Sequence, residues 1–306
     1  MRNILLWGSR SQALRDFLPR YRFVRRAVTR FMPGEHIEDA LDAAEALKPS
    51  GISTVVTHLG ENLQDEGEAN AVAEHYLDVL ARIRQRGLDC QISLKLTQLG
   101  FDFREDLCAG HLETILRKAK ETGNFVWIDM ESSGYVERTL DLFSRMRANH
   151  ANVGVCLQSY LFRTASDCER LLPLESSVRL VKGTYAEPKD VALASKRDVD
   201  DNFFALAMRL LEASVRNRAV TGIATHDIAL LRRIEQGCSH ENIPRDAFEI
   251  QMLYGIKREE QLRLAKEGFR VRVLISYGSF WFPWYMRRLA ERPANVWFVL
   301  KNIGGR

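Results

Sequence analysis

From residue 50 onward, short β-branched apolar runs alternate with longer stretches whose apolar residues recur at i, i+3 and i+4. The runs are STVVTHL (53–59), QISLKL (91–96), FVWIDM (125–130), VGVCLQ (153–158), VRLVKG (178–183), TGIATH (221–226), FEIQML (248–253) and VRVLIS (271–276). Between them, EANAVAEHYLDVLARIRQRG (68–87), REDLCAGHLETILRKAKETG (104–123) and DDNFFALAMRLLEASVRNRA (200–219) carry the 3.6-residue period of amphipathic helices and end at glycine or polar breakers. Strands that alternate with helices pair in parallel, and eight such units predict an α/β protein of the (β/α)8 TIM-like barrel type. Periodicity does not report closure, so a doubly wound open sheet is the alternative. The lack of a G-x-G-x-x-G after an early strand argues against a dinucleotide-binding form of it.

Ahead of the first strand, GEHIEDALDAAEALK (34–48) reads as a helix packed on the barrel. The expected organisation is a single domain, with N-terminal helices over 1–49 and the catalytic barrel over 50–306. The first 31 residues set many arginines against one acid, Asp16, and Leu14, Phe17, Leu18, Tyr21, Val24, Val28 and Phe31 recur at helical spacing. That predicts a basic amphipathic helix kinked at Pro19, which can pack on the protein's own body or lie on a membrane surface.

Composition narrows the setting. With 46% hydrophobic and 27% charged residues, the 306-residue chain has the make-up of a soluble globular protein with a sizeable core. Five cysteines without a C-x-x-C pair indicate neither a disulfide framework nor a zinc ribbon, which suggests the cytoplasm. Seven histidines in no ligand spacing give no reason to expect a metal. The net charge of +4 is short of what a nucleic-acid-binding protein carries.

In a (β/α)8 barrel the chemistry sits at the C-terminal ends of the strands, so the residues delivered there are the candidates. They are strongly polar: His58 and Glu61 after strand one, Lys95 on strand two, Asp129 and Glu131 at strand three, Gln158 at strand four. Arg179 and Lys182 lie on strand five ahead of Tyr185, Thr225, His226 and Asp227 end strand six, and Gln251 on strand seven precedes Tyr254. Each has a plain structural use; Lys95 can snorkel to the rim and Asp129 can cap a helix starting near Ser132. Converging on one mouth, they predict a polar, net basic pocket for an anionic ligand, because buried charges need partners or a ligand. Lysines in strands also admit an aldolase-like Schiff-base barrel, and a barrel that only binds an anionic metabolite is a third reading.

The strings ISLKLTQLG (92–100), IDMESS (128–133), LQSYLFRT (157–164), VRLVKGTYAEPKD (178–190), IATHD (223–227), FEIQMLYG (248–255) and WYMRRLAERPAN (284–295) together resemble the proline dehydrogenase family, in its compact monofunctional bacterial form. The resemblance runs from about residue 30 to the C-terminus. It implies a distorted barrel binding FAD noncovalently, with the last helix over the mouth, and oxidation of L-proline to Δ1-pyrroline-5-carboxylate by hydride transfer to flavin N5. By resemblance, Arg287 and Arg288 grip the substrate carboxylate, Glu291 holds Arg288, Lys95 assists, and Glu61 pairs with the first arginine as a gate. Arg179 bonds the flavin near N5, and Asp129, Gln158, Lys182, Gly183, Thr184, Thr225, His226 and Leu253 contact the cofactor. Tyr185 packs by the substrate. Members pass electrons to membrane quinones, which implies a cytoplasmic enzyme with peripheral membrane contact.

Two positions depart from the family pattern. Leu274 stands where the last strand of the family carries a tyrosine, and Trp284 where the final helix does. Together they imply a reshaped pocket, and with it a substituted proline, a hydroxyproline or another cyclic secondary amino acid as an alternative substrate.

Overall fold

The structure, a computed structural model, describes residues 29–60, 63–216 and 219–281. Glu61, Trp284, Arg287, Arg288, Glu291 and the basic stretch up to Val28 lie outside the described residues. Eight parallel strands close into a barrel in sequence order: β1 (Ser53–His58), β2 (Cys90–Leu94), β3 (Val126–Ile128), β4 (Val153–Gln158), β5 (Ser177–Val181), β6 (Thr221–Ala224), β7 (Phe248–Leu253) and β8 (Arg270–Tyr277). Closure is made by β8 against β1, with Val55 beside Leu274 and Thr57 beside Ser276. This excludes the open-sheet alternative.

Helices α1 (Ile37–Leu47), α2 (Glu66–Arg86), α3 (Glu105–Glu121), α4 (Val136–Arg147), α5 (Thr164–Leu171), α6 (Lys196–Arg216), α7 (Ile228–His240) and α8 (Arg258–Lys266) surround it, α1 before β1 and the others between successive strands. α1 packs its apolar stripe, Leu41 and Ala44 among it, on β8 and β1. Asp65 starts α2 by accepting from the Glu68 amide at 2.9 Å, and Gly87 ends it in the left-handed region at φ 60°.

Parallel strands covered on both faces usually read as unbroken apolar runs. These do not, because the two faces of the wall differ. On β7, Phe248, Ile250 and Met252 point outward into the helix layer, while Glu249, Gln251 and Leu253 point inward. On β5, Val178 and Leu180 face out and Arg179 faces in. The hydrophobic core is therefore the shell between sheet and helices, and the barrel axis holds an ionic network where bulky branched layers are usual.

Four expectations about strand limits are corrected. Lys95, Asp129, Lys182 and Thr225 each lie one residue past the strand that precedes them, and His226 and Asp227 follow in the turn after β6. At Lys95 the chain turns into a 310 segment, Leu96–Leu99, and the Lys95 amide donates to Gln98 Oε1 at 3.3 Å. Past Lys182 it leaves the sheet at Gly183, whose φ of 109° suits glycine alone. Among the described residues, no helix is long and apolar enough to cross a membrane. All five cysteines are free and buried, and burial pushes the Cys90, Cys156 and Cys168 thiols up to about 12.

Candidate active site

The centre of the barrel is Arg179, 3% exposed on the inner face of β5. Its Nε donates to Gln251 Oε1 at 2.6 Å, and its Nη1 donates to Asp129 Oδ1 at 2.8 Å and Ser93 Oγ at 2.9 Å. The guanidinium carbon stands 4.7 Å from the centre of the Trp127 ring, whose indole is tied to Gln91 at 2.7 Å. Buried Nη2 has no hydrogen-bond partner among the described residues. A buried guanidinium is retained when its donors are met, so an unmet pair on one edge leaves room for an acceptor from a ligand.

Asp129 does not cap a helix. Its Oδ1 takes the bonds from Arg179 and Ser93, while the Ser133 amide at the next turn donates to Glu187 at 2.8 Å. Glu131, beside it in sequence, accepts from Thr97 Oγ1 at 2.9 Å and so ties the loop after β3 to the loop that carries Lys95. Gln98 joins that loop to the end of β1, donating to the His58 and Gly60 carbonyls at 2.9 and 2.7 Å. Gln158, buried at the end of β4, donates from Nε2 to the Glu131 carbonyl at 3.1 Å, and its Oε1 has no partner among the described residues.

A second charged group lies between β5 and β6. Lys182 Nζ reaches Asp200 Oδ1 at 2.5 Å and Asp227 Oδ2 at 3.0 Å. Burial alone would raise the Asp227 carboxyl, and the bond and charge of Lys182 more than reverse that, bringing it down to about 2. Asp227 also caps α7 by accepting from the Leu230 amide at 3.3 Å. His226 Nε2 accepts from the Leu253 amide at 2.9 Å, which puts the ring proton on Nδ1 and locks the end of β6 to β7. Thr225 is buried and its Oγ1 accepts from the Asp227 amide at 3.1 Å.

The opposite wall is apolar. Leu253 and Leu274 are register partners, both half-buried on the inner face of β7 and β8. The mouth thus sets Lys95, Asp129, Gln158 and Arg179 on one side against two leucines on the other, a shape for a flat ligand with an apolar face and a polar edge. Tyr185 is half-buried and Thr184 exposed in the loop after Gly183.

Ser93, Trp127 and Asp200 escaped the sequence reading. Ser93 is the inward position two before Lys95, so the period of two around each polar strand end could have exposed it. Asp200 lies in the second turn of α6, with no sequence signal that joins it to Lys182. Among the described residues no group of His, Cys, Asp and Glu could hold a metal ion.

Fold and mouth define a (β/α)8-barrel protein with a candidate polar site at the strand C-termini. The profile of the family described as Proline dehydrogenase matches residues 40–301, and the chain belongs to that family, an oxidoreductase family of flavoenzymes. It is similar to Proline dehydrogenase 1 of Bacillus subtilis (strain 168), 39% identical over 303 residues and covering 99% of each chain. It is also similar to the proline dehydrogenase of Deinococcus radiodurans, 37% identical over 279 residues, covering 90% of this chain and 89% of that one. The fold matches the crystal structure of proline utilization A from Bdellovibrio bacteriovorus with a TM-score of 0.80 at 23% identity. There it covers 87% of this chain and 32% of the other, so this chain spans about a third of that protein.

Proposed function

We propose that this protein oxidises L-proline at its CH–NH bond with FAD as the bound cofactor, giving Δ1-pyrroline-5-carboxylate. The observation that carries this reading, beyond family membership, is the Arg179 guanidinium: buried in the barrel, pinned on two sides, with Nη2 unmet among the described residues. The residues fit a flavin. Arg179 Nη2 is a donor for its ring acceptors, and the unmet Gln158 Oε1 is an acceptor for a ring N–H. Leu253 and Leu274 offer an apolar face, and the missing Cβ of Gly183 lets its backbone pack on the Tyr160 ring, which a Cβ would meet at 2.3 Å.

When bound, FAD would take up the hydride from the substrate carbon next to nitrogen. The chain's own residues orient and polarise. Arg179 directs positive charge at the electron-accepting edge, and Asp129 holds Arg179 without cancelling the unmet Nη2. Lys182, Thr184, Thr225 and His226 make up the rest of the cofactor contacts. Lys95 stands on the substrate side with Tyr185. Arg287 and Arg288, steadied by Glu291 and screened by Glu61, serve the carboxylate, since a guanidinium fork matches its two oxygens.

Residues 1–49 are read as helices packed on a catalytic barrel over 50–306. The electron acceptor is a quinone or similar carrier, reached from the cytoplasm by peripheral contact through the basic N-terminal stretch. At Lys182 the Schiff-base reading is disfavoured by the ion pairs to Asp200 and Asp227, where that chemistry needs an unpaired, desolvated amine.

A second substrate reading rests on one wall. Leu274 faces inward where the family carries tyrosine, and two residues on, the buried Ser276 Oγ has no partner among the described residues. That combination of added room and an unmet hydroxyl suits a hydroxylated or substituted proline. Anaerobic addition of L-proline to the yellow protein tests the main reading: bleaching of the flavin band is expected. A flavin that stays oxidised with proline and bleaches with a hydroxyproline would favour the second, and a protein that takes up no FAD would sink both.

A further inference from the structure

Glu249 and Gln251 take successive inward positions on β7 beneath Leu253, both buried. The Gln251 amide is engaged at both ends. Its Nε2 donates to Glu249 Oε2 at 3.2 Å, and its Oε1 accepts from Arg179 Nε at 2.6 Å. Inverted, it would aim N–H groups at the guanidinium and an oxygen at the carboxylate, two unmet contacts in a buried setting, so one orientation is imposed.

Glu249 is itself fixed. The Arg272 fork meets it at 2.9 Å through both Nε and Nη2, and Arg270 adds a bond at 3.0 Å. Burial would raise the Glu249 carboxyl, and Arg272 more than reverses this, leaving it below the ordinary range and an acceptor only. Room for the amide comes from Gly222 on β6, where a Cβ would lie 2.7 Å from Gln251 Nε2. A continuous chain therefore runs along the barrel axis, from Arg272 through Glu249 and Gln251 to Arg179.

We propose that Gln251 is a positioning residue: held by the Glu249–Arg272 ion pair at the floor, it sets the plane of the Arg179 guanidinium and so presents Nη2 to the cofactor. The inference rests on the reading of Arg179 as the flavin's partner. Gln251 and Asp129 grip different edges of one rigid planar group, and together they leave its orientation no freedom. The electron affinity of the bound flavin then depends on a residue that does not touch it.

The test compares the flavin-loaded wild type with Gln251→Leu, Gln251→Glu and Arg179→Lys. Two readouts apply: the two-electron midpoint potential, and the dissociation constant for sulfite, which adds reversibly to oxidised flavins and more tightly beside positive charge. Gln251→Leu is expected to lower the potential by about 30 mV and weaken sulfite about tenfold, the equivalence that holds for a two-electron couple. Gln251→Glu carries a pH signature. Protonated, the introduced carboxyl can donate to Glu249 and accept from Arg179 as the amide does, giving wild-type behaviour. Once ionised it sets a second negative charge at Arg179, and the potential falls below wild type as pH rises.

Where either variant fails to accumulate as folded protein, Gln251→Asn, which keeps the amide but shortens its reach, carries the same expectation as Gln251→Leu. Variants that melt earlier yet keep the wild-type potential and sulfite affinity at every pH would overturn the proposal and leave Gln251 a packing residue. If Arg179→Lys shifts both readouts while the Gln251 variants do not, the proposal alone falls. If Arg179→Lys shifts neither, the reading of Arg179 falls and takes the proposal with it.

Discussion

Arg179 on β5 and Asp129, one residue past the end of β3, meet at 2.8 Å, and the arginine is almost wholly withdrawn from water. A guanidinium in that position is tolerable because a carboxylate faces it. Removing one partner of a buried pair costs ~3–5 kcal/mol, since the other charge is left uncompensated. The Asp129 side chain is 22% exposed, which lets water reach the vacated side and puts the expected cost of Asp129→Ala at ~2–4 kcal/mol. Asp129→Asn keeps an acceptor and should lose about half as much. Urea unfolding with flavin removed measures both; equal losses would mean that the charge alone and not the acceptor holds Arg179, and no loss in either variant would contradict the electrostatic account.

A second pair governs the response to acid. His58 and His75 face each other at a tilt of 50°, with ring centres 4.8 Å apart between β1 and α2, and His75 Nε2 lies 2.7 Å from the Tyr277 hydroxyl. Burial, then the neighbouring His75, lowers the His58 pKa from 6.5 to about 4, and burial lowers His75 too. Asp78 and Glu38 oppose the shift at His75, and Arg82 adds to it. A histidine whose folded pKa lies below its unfolded value is protonated first in the unfolded chain. Its contribution is therefore complete above pH 6.5 and is lost as pH falls towards 4. The loss should reach at most ~3 kcal/mol for His58. His58→Gln should flatten the stability profile over that window; a profile as steep as wild type would rule out His58 as its source.

The barrel was legible in the sequence because the outward faces of the strands are β-branched and the helices between them keep a clean 3.6-residue period. The candidate site stood out for a different reason. Residues such as Arg179, Gln158 and Lys95 break apolar runs where a structural barrel would have placed valine or isoleucine. What could not be read was partnership: that Lys182 pairs with Asp200 from a helix start, or that Asp129 faces Arg179 and not the next helix, depends on closure and register. The strand ends at Lys95 and Lys182 were misjudged because a 310 turn and a glycine at positive φ follow residues that still look extended.

Gly183 shows how a backbone position limits the site. At φ 109° an L side chain is strained, and a Cβ would press to 2.3 Å on Tyr160 ring carbons, part of a ring with no flexible end to yield. Gly183→Ala should therefore push the segment carrying Thr184 and Tyr185 away from the mouth. The expected result is a loss of ~1–3 kcal/mol in stability. Cofactor affinity should fall at least about tenfold, equivalent to ~1.4 kcal/mol. Flavin content after dialysis, read from the visible spectrum, checks this, and full retention would show that the segment adjusts without moving the site.

Leu274 is where the pocket wall can be rebuilt with one change. It sits half-buried on the inner face of β8 beside Val55 of β1 and Leu253 of β7, so a larger side chain there must project into the mouth. Leu274→Tyr adds a ring and a hydroxyl one inward position beneath the buried Ser276, filling the space that would accept a ring substituent and supplying the polar handle Leu274 lacks. If that space admits substituted prolines, the ratio of kcat/KM for a hydroxyproline over L-proline should fall by about tenfold or more in the variant, the range one added group is worth in a fitted pocket. Plain L-proline, which needs no such room, should lose less. A ratio unchanged by the substitution would mean that the ring faces another wall, and that Leu274 shapes the flavin's apolar face and not the substrate's.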